Sequence, residues 1–247
     1  MSSLEHAILS PGERVGNYEA VRRVGVGGMG EVWEARHSAL KKRVALKILL
    51  PEHARSPEVT ARFLREGEAA SRIRHPHAVE VFDVGAHRGL PYLVMELLEG
   101  RDLDQWLHDD GVLSVEAAAD IVAPVVAAIA AAHDEGVVHR DLKPGNIHLS
   151  ITRDGVLVPK VLDFGISRVD GSGDVRTASA TVLGTPMYMS PEQTRGASDA
   201  THASDQYAIG VILYECVTGR PPFDAPTVFG LIARIGTGEY MPPHAPA

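Results

Sequence analysis

His139-Arg140-Asp141-Leu142-Lys143-Pro144-Gly145-Asn146 is the stretch on which the reading of this 247-residue chain turns. It holds a carboxylate, then an ammonium two residues on, then a neutral amide five residues on. Asp141 can orient a hydroxyl nucleophile and accept its proton. Lys143 can neutralise charge on a transferring phosphoryl group. Asn146 offers a neutral oxygen to a hard cation such as Mg2+. Further on, after the apolar Val161-Leu162, comes Asp163-Phe164-Gly165. Asp163 supplies an anionic ligand for the same cation, and Gly165 lets the backbone turn sharply.

Upstream lies Gly25-Val26-Gly27-Gly28-Met29-Gly30. Alone this spacing is weak, because an ordinary glycine-rich turn has the same composition. A dinucleotide fold would need a helix after the glycines. Here Glu31-Val32-Trp33-Glu34-Ala35 follows, which alternates like a strand, so the glycines sit in a strand-turn-strand hairpin. Such a loop lets backbone N–H groups approach phosphate oxygens with no Cβ in the way. The next strand carries Val44-Ala45-Leu46-Lys47. Lys47 in isolation reads as a solvated strand lysine; beside a phosphate loop it needs a carboxylate to hold it. Glu66 on the following helix fits that role. Glu68 points about 200° further around the helix.

The chain falls into two compositional halves. Tyr18–Val24, Gly30–Arg36, Arg43–Leu50, Val79–Val84 and Tyr92–Leu97 read as strands. Ser56-Pro57-Glu58 opens the single main helix of this half, which ends before His75-Pro76. After Leu98-Glu99-Gly100 the chain turns helical. Val115–Ala132 reads as a buried Ala-rich helix, since Glu116, Asp120 and Pro124 interrupt it. Asp205–Thr218 is an apolar helix closed by Gly219. The net charge of −8 argues against a nucleic-acid partner. The single cysteine, Cys216, permits no internal disulfide and fits a reducing compartment. It reads as a core residue, and the histidines show no metal-ligand spacing.

Together these motifs resemble the protein kinase family, and within it the eukaryotic-type (Hanks-type) serine/threonine kinases of bacteria. The glycine loop, V-A-x-K, H-R-D-L-K-x-x-N and D-F-G stand in order. Gly184-Thr185-Pro186-Met187-Tyr188-Met189-Ser190-Pro191-Glu192 then resembles the end of a kinase activation segment. The resemblance covers Tyr18 to Phe223. It implies an α+β, bilobal fold: a five-stranded antiparallel N-lobe with one main helix, and a helical C-lobe. The implied division is an N-terminal extension at 1–17 and a kinase domain at 18–247. Within the domain, the N-lobe is 18–96, the hinge 96–100 and the C-lobe 101–247, with the last helices of the family missing.

By the same resemblance, Asp141 is the catalytic base, Lys143 and the Lys47–Glu66 pair act on the phosphates, and Asn146 and Asp163 hold Mg2+, with Mn2+ as the alternative ion. ATP would lie against Val24, Gly25, Val26, Gly27, Gly28, Met29, Gly30, Val32, Ala45, Lys47, Met95, Glu96, Leu98 and His148. Met95 stands behind the adenine, the backbone of Glu96 and Leu98 bonds its edge, and His148 occupies a place where the family has an aliphatic residue. Lys143 and Thr185, the latter positioning the substrate hydroxyl, resemble the serine/threonine type and not the tyrosine type. Thr177, Ser179 and Thr181 are the candidate phosphosites, and Arg140 is suited to pair with a phosphate there. Arg140, Phe164, Glu192 and Asp205 take structural roles, with Asp205 bracing the backbone around His139-Arg140 or, more plainly, capping its helix. His139 is a packing residue and not a base.

The partners implied are proteins with Ser or Thr acceptors, and a second copy of the chain for trans-autophosphorylation. No nucleic acid and no membrane segment are expected within this chain. The location expected is the cytoplasm, with a membrane tether in the parent chain as a compatible arrangement. Two rival functions share the fold: a nucleotide- or partner-binding pseudokinase, and a small-molecule kinase. Lys47, Glu66, Asp141, Asn146 and Asp163 argue against the first, and the long segment ending at Glu192 argues against the second. Two departures stand out. Gly67, mid-helix beside Glu66, costs about 1 kcal/mol against Ala and would loosen the Lys47–Glu66 pair. Glu192 lacks the later arginine that the family pairs with it, and a buried carboxylate without a cation would be costly.

Overall fold

The computed structural model describes residues 7–152, 154–165, 186–196, 200–240 and 242–243. Among these, 7–74 and 79–99 form one compact unit, and 75–78, 100–165 and the described residues beyond form another.

The first unit is built on an antiparallel sheet of β1 (Arg14–Val15), β2 (Tyr18–Val26), β3 (Gly30–His37), β4 (Arg43–Leu49), β5 (Val81–His87) and β6 (Leu90–Met95), ordered β1-β2-β3-β4-β6-β5. The five expected strands are present, and β1 is a sixth that the sequence reading placed in an extension. Its register sets the two faces. Val32 lies opposite Lys47, Lys47 opposite Leu93, and Ala45 opposite Met95, so these residues share one face. Trp33, Ala35, Val44, Leu46, Ile48, Tyr92 and Val94 fill the other, where Leu9, Val15 and Tyr18 complete a buried core.

The expected extension is therefore part of that core. Its attachment centres on Glu31, whose carboxylate is only 2% exposed. It accepts bonds from Ile8 N at 3.0 Å, Trp33 Nε1 at 2.8 Å and Arg23 Nη1 at 2.9 Å. Three donors, one of them the Arg23 cation, offset the desolvation of the buried charge.

A short helix, α1 (Pro51–Ala54), leads to α2 (Pro57–Ala70), which Ser56 caps by accepting from Val59 N. The helix packs on the Lys47 face. Its point of closest approach is Gly67: a Cβ there would sit inside contact distance of Leu93 Cδ2 and 3.2 Å from Val84 Cγ1. The glycine thus has a packing reason, in place of the loosening role expected for it. Glu66 is half-buried beside it, whereas Glu68 is exposed. Gly67→Ala should destabilise the fold by about 1–2 kcal/mol: overpacking against the fully buried Leu93 outweighs the gain in helix propensity. A urea titration measures this, and unchanged stability would mean that Leu93 has room to turn.

The second unit holds β7 (Gly100–Asp102), α3 (Leu103–Asp110), α4 (Val115–Asp134), β8 (Ile147–Ile151), β9 (Leu157–Val161), α5 (His202–Thr218) and α6 (Val228–Thr237). The three strands form a small antiparallel sheet with β8 in the middle. By length and apolar content, α4 is the one described helix that could cross a membrane. In the fold its stripe Ala118, Ile121, Val122, Val125, Ala128, Ile129 and Ala132 is buried, and the helix packs against α5 and β9. That is the use expected of an Ala-rich core helix, since small side chains let a neighbouring helix approach closely. Pro124 lies inside the helix without ending it.

Candidate active site

The glycine loop is the β2–β3 hairpin. Gly25 pairs with Val32, Val26 with Glu31, and Gly27 N donates to Gly30 O at 2.9 Å. Gly30 is demanded by the fold, because a Cβ there would collide with the Ile48 carbonyl oxygen. Gly25 and Gly28 are not: a Cβ on either would meet open space. Packing does not explain those two glycines, whereas a ligand needing close backbone approach does. Val24 and Val26 are exposed, Val32 is half-buried, and Ala45 and Met95 are buried.

Lys47 is 9% exposed and lies on the sheet face that α2 covers, and Glu66 on that helix is half-buried. At the chain's exit from β6, Glu96 N donates to Glu80 O at 2.9 Å. The backbone group of Glu96 suited to a ring amine is therefore its carbonyl. The connector is held from β4: Arg43 bonds Glu99 Oε1 and Glu34 Oε1, each at 2.8 Å, while Arg22 bonds Glu34 Oε2 at 2.9 Å. The Arg43 guanidinium, helped by Arg22, holds the Glu34 carboxyl below its ordinary range. Sequence reading gave these residues no role.

In the second unit the loop His139–Asn146 is pinned from below. Asp205 is 1% exposed, and its carboxylate accepts from His139 N at 2.8 Å, Arg140 N at 2.9 Å and His133 Nε2 at 2.8 Å. The expected brace is thus in place. The capping alternative is not, since Thr201 occupies the cap of α5 and Asp205 lies in its first turn. Arg140 takes φ 68°, a left-handed conformation that costs energy for a residue with a Cβ. Its N–H is held by Asp205 and its carbonyl by Gln193 Nε2 at 2.8 Å. Gln193 and His133 were missed in the sequence, where nothing but their proximity to named motifs marks them.

The loop then delivers its side chains together. Lys143 Nζ donates to Asp141 Oδ2 at 2.8 Å. Asn146 Nδ2 donates to the Asp141 carbonyl at 2.8 Å, so its amide oxygen is directed away from that bond, as a ligand to a hard cation must be. Among the described residues no donor reaches Asp141 Oδ1. Asn146 O accepts from Leu162 N at 2.9 Å, which ties the turn carrying Asp163 to the same loop. Asp163 also takes a left-handed φ, 53°. Beside it, Phe164 packs on the His139 ring with centroids 5.3 Å apart, and His139 Nε2 bonds the Leu162 carbonyl at 2.8 Å. Those contacts join His139 to the turn that carries Asp163. His148 is half-buried on β8, on the face opposite Ile147 and Leu149.

Thr177, Ser179, Thr181 and Thr185 lie outside the described residues. From Pro186 onward the segment is anchored on α5. Tyr188 OH donates to Glu215 Oε2 at 2.6 Å; burial first, and then that hydrogen bond to Glu215, push the phenol's pKa up. Burial likewise raises that of Glu215.

Glu192 corrects an expectation. It is only partly buried, and it is not stranded: Ser204 Oγ donates to its Oε1 at 2.7 Å. That hydroxyl is the main cause of its lowered pKa, with Arg195 adding a weaker attraction. A group whose folded pKa is lowered contributes stability above its unfolded value, and loses it as the pH falls through the folded value. Ser204→Ala should therefore cost about 1–2 kcal/mol at pH 7, since it also removes the bond to Thr201 N. The difference from wild type should narrow as the pH falls below the ordinary carboxylate range and Glu192 takes up its proton. Urea titrations at pH 7 and 3.5 check this, and a pH-independent difference would contradict it.

The first unit thus carries a hairpin of glycines and a buried strand lysine, and the second a loop that joins Asp141, Lys143 and Asn146; each is a candidate part of the phosphoryl-transfer chemistry of the kinase class. The chain belongs to the protein kinase domain family, which matches residues 18–242. Its relatives there include bacterial serine/threonine kinases. It is 43% identical over 230 residues to the serine/threonine-protein kinase pkn3 of Myxococcus xanthus, covering 92% of this chain and 42% of that protein. It is 38% identical over 242 residues to PknB of Mycobacterium tuberculosis, covering 96% and 38% respectively. The chain thus spans about two-fifths of the length of these relatives. Among solved structures, the PknI kinase domain of M. tuberculosis matches with a TM-score of 0.72 and 33% identity, over 89% of this chain and 82% of that one.

Proposed function

We propose that this domain transfers the γ-phosphoryl group of ATP to Ser and Thr hydroxyls of proteins. The observation that carries the reading is the Asp141–Lys143–Asn146 cluster, with Lys143 Nζ 2.8 Å from Asp141 Oδ2. ATP is held by the glycine loop and by Lys47, kept in place by Glu66. Asn146 and Asp163 are the residues that would hold Mg2+ or Mn2+, which when bound supplies charge neutralisation on the phosphate oxygens. Asp141 orients the acceptor hydroxyl and takes its proton as the hydroxyl oxygen bonds to the γ-phosphorus. The bond from that phosphorus to the β-phosphate oxygen breaks, leaving ADP. Lys143 steadies the negative charge on the moving group.

Lys143 and Thr185 support the choice of Ser and Thr acceptors. The hydroxyls of Thr177, Ser179 and Thr181 are the proposed autophosphorylation sites, modified in trans by a second copy, with Arg140 as the receiver of the phosphate. A cytoplasmic setting suits the single buried thiol, Cys216. The test is to incubate the chain with Mg2+ and γ-labelled ATP, alone and with a generic basic protein, and to map the label by mass spectrometry. Label on Ser or Thr, absent from an Asp141→Asn control, is expected. No label above that control would overturn the reading in favour of a binding module.

A further inference from the structure

The tip of the glycine loop is held by residues outside the hairpin. His53, on α1, lies with its Nε2 2.9 Å from the Gly28 carbonyl oxygen. Leu50 N, at the cap of the same helix, donates to the Met29 carbonyl at 2.9 Å. A carbonyl oxygen can only accept, so the imidazole nitrogen facing Gly28 must be the donor. Two successive carbonyls of the loop are thus drawn toward α1.

In a trans peptide the C=O and N–H point in opposite directions, and the described residues contain no cis bond. Drawing the Gly28 carbonyl toward His53 therefore turns the Met29 N–H the other way, off the α1 side of the loop. Drawing the Met29 carbonyl toward Leu50 does the same for the Gly30 N–H. Successive N–H groups turned to one side make an anion-binding concavity. Gly28 has no Cβ, and one placed there would meet nothing within 4 Å. Neither packing nor a side chain on Gly28 therefore holds this peptide unit, which without a tether could rotate at little cost.

We propose that His53 is a positioning residue for the nucleotide phosphates: its bond to Gly28 presets the loop N–H groups to receive them. The inference rests on the reading of this hairpin as the ATP phosphate loop. It assigns the short α1 helix a purpose, because Pro51 and Leu50 set the angle at which His53 reaches the loop. The effect is specific to phosphate. A ligand with the adenine and ribose but no phosphate has nothing to gain from the orientation of the Met29 N–H.

The test uses the intact chain and three ligands, Mg·ATP, Mg·ADP and adenosine, titrated calorimetrically into wild type, His53→Phe and His53→Gln. His53→Phe keeps a flat ring but cannot donate, and should weaken ATP and ADP by about three- to tenfold with adenosine unchanged. His53→Gln can donate a neutral N–H from its amide and should bind ATP within about twofold of wild type. Unchanged ATP affinity in His53→Phe overturns the proposal. So does a parallel loss of adenosine and ATP, which would mark general damage to the fold. A His53→Gln variant as impaired as His53→Phe also overturns it, by pointing to ring packing or charge. Wild type that binds adenosine but not ATP, or neither, would overturn the nucleotide-site reading itself, a result distinct from any of these.

Discussion

Asp141→Asn is expected to lower phosphoryl transfer by about 10²- to 10⁴-fold, the range of a positioned general base. The amide keeps the size and the acceptor oxygen of the carboxylate but cannot take a proton. It also leaves Lys143 Nζ, now 2.8 Å from a carboxylate oxygen, beside a neutral group. Stability should change little, because Asp141 is partly exposed and its backbone carbonyl still receives Asn146 Nδ2. Affinity for Mg·ATP should likewise stay close to wild type. Initial rates on a generic basic substrate, with a thermal melt beside them, make the measurement. A variant within a few-fold of wild type would show that Asp141 only orients the hydroxyl, or does less.

Asp205→Ala is expected to be the most destabilising single change in the second unit, at about 3–5 kcal/mol. The carboxylate is 1% exposed and takes three bonds. Truncation leaves the His139 and Arg140 N–H groups buried without an acceptor, and frees His133. It also removes one of the two holds on the left-handed Arg140, which then relaxes and carries Asp141 with it. Activity should fall with stability, and by more than unfolding alone explains at temperatures where the variant is still native. For a chain of this size the melting temperature should drop by on the order of 10 °C. Asp205→Asn retains one acceptor and should lie between. An Asp205→Ala variant within about 1 kcal/mol of wild type would mean that water replaces the carboxylate at no cost, against the burial found here.

The features legible in the sequence share a property: each is encoded by neighbours along the chain. The alternation of Glu31 to Ala35 marks a strand, and with it a hairpin in place of a dinucleotide turn. The order His139, Arg140, Asp141, Lys143, Asn146 sets the chemistry of a loop whose own 2.8 Å bonds bring those groups together. Ser56-Pro57 announces the helix that Ser56 indeed caps. The sixth strand was not legible, because Arg14-Val15 is too short to carry a period and gains its partner only from Tyr18 and Glu19. Gly67 read as a weak point in a helix until Leu93 and Val84, far along the chain, filled the space where its Cβ would stand.

By itself, then, the sequence determined which candidate groups this kinase domain offers: the glycines from Gly25 to Gly30, Lys47, Asp141, Lys143, Asn146 and Asp163. Side-chain chemistry and local backbone preference are properties of short segments, and they survive being read in one dimension. The tertiary structure decided what holds those groups still. Asp205 lies 66 positions from the His139 N–H it accepts, His53 lies 25 from Gly28, and Glu31 lies 23 from Ile8. Ser204, twelve positions on, meets Glu192. A polar side chain is chosen as a partner by the burial and direction of an orphan backbone group, and those exist only once distant segments have packed.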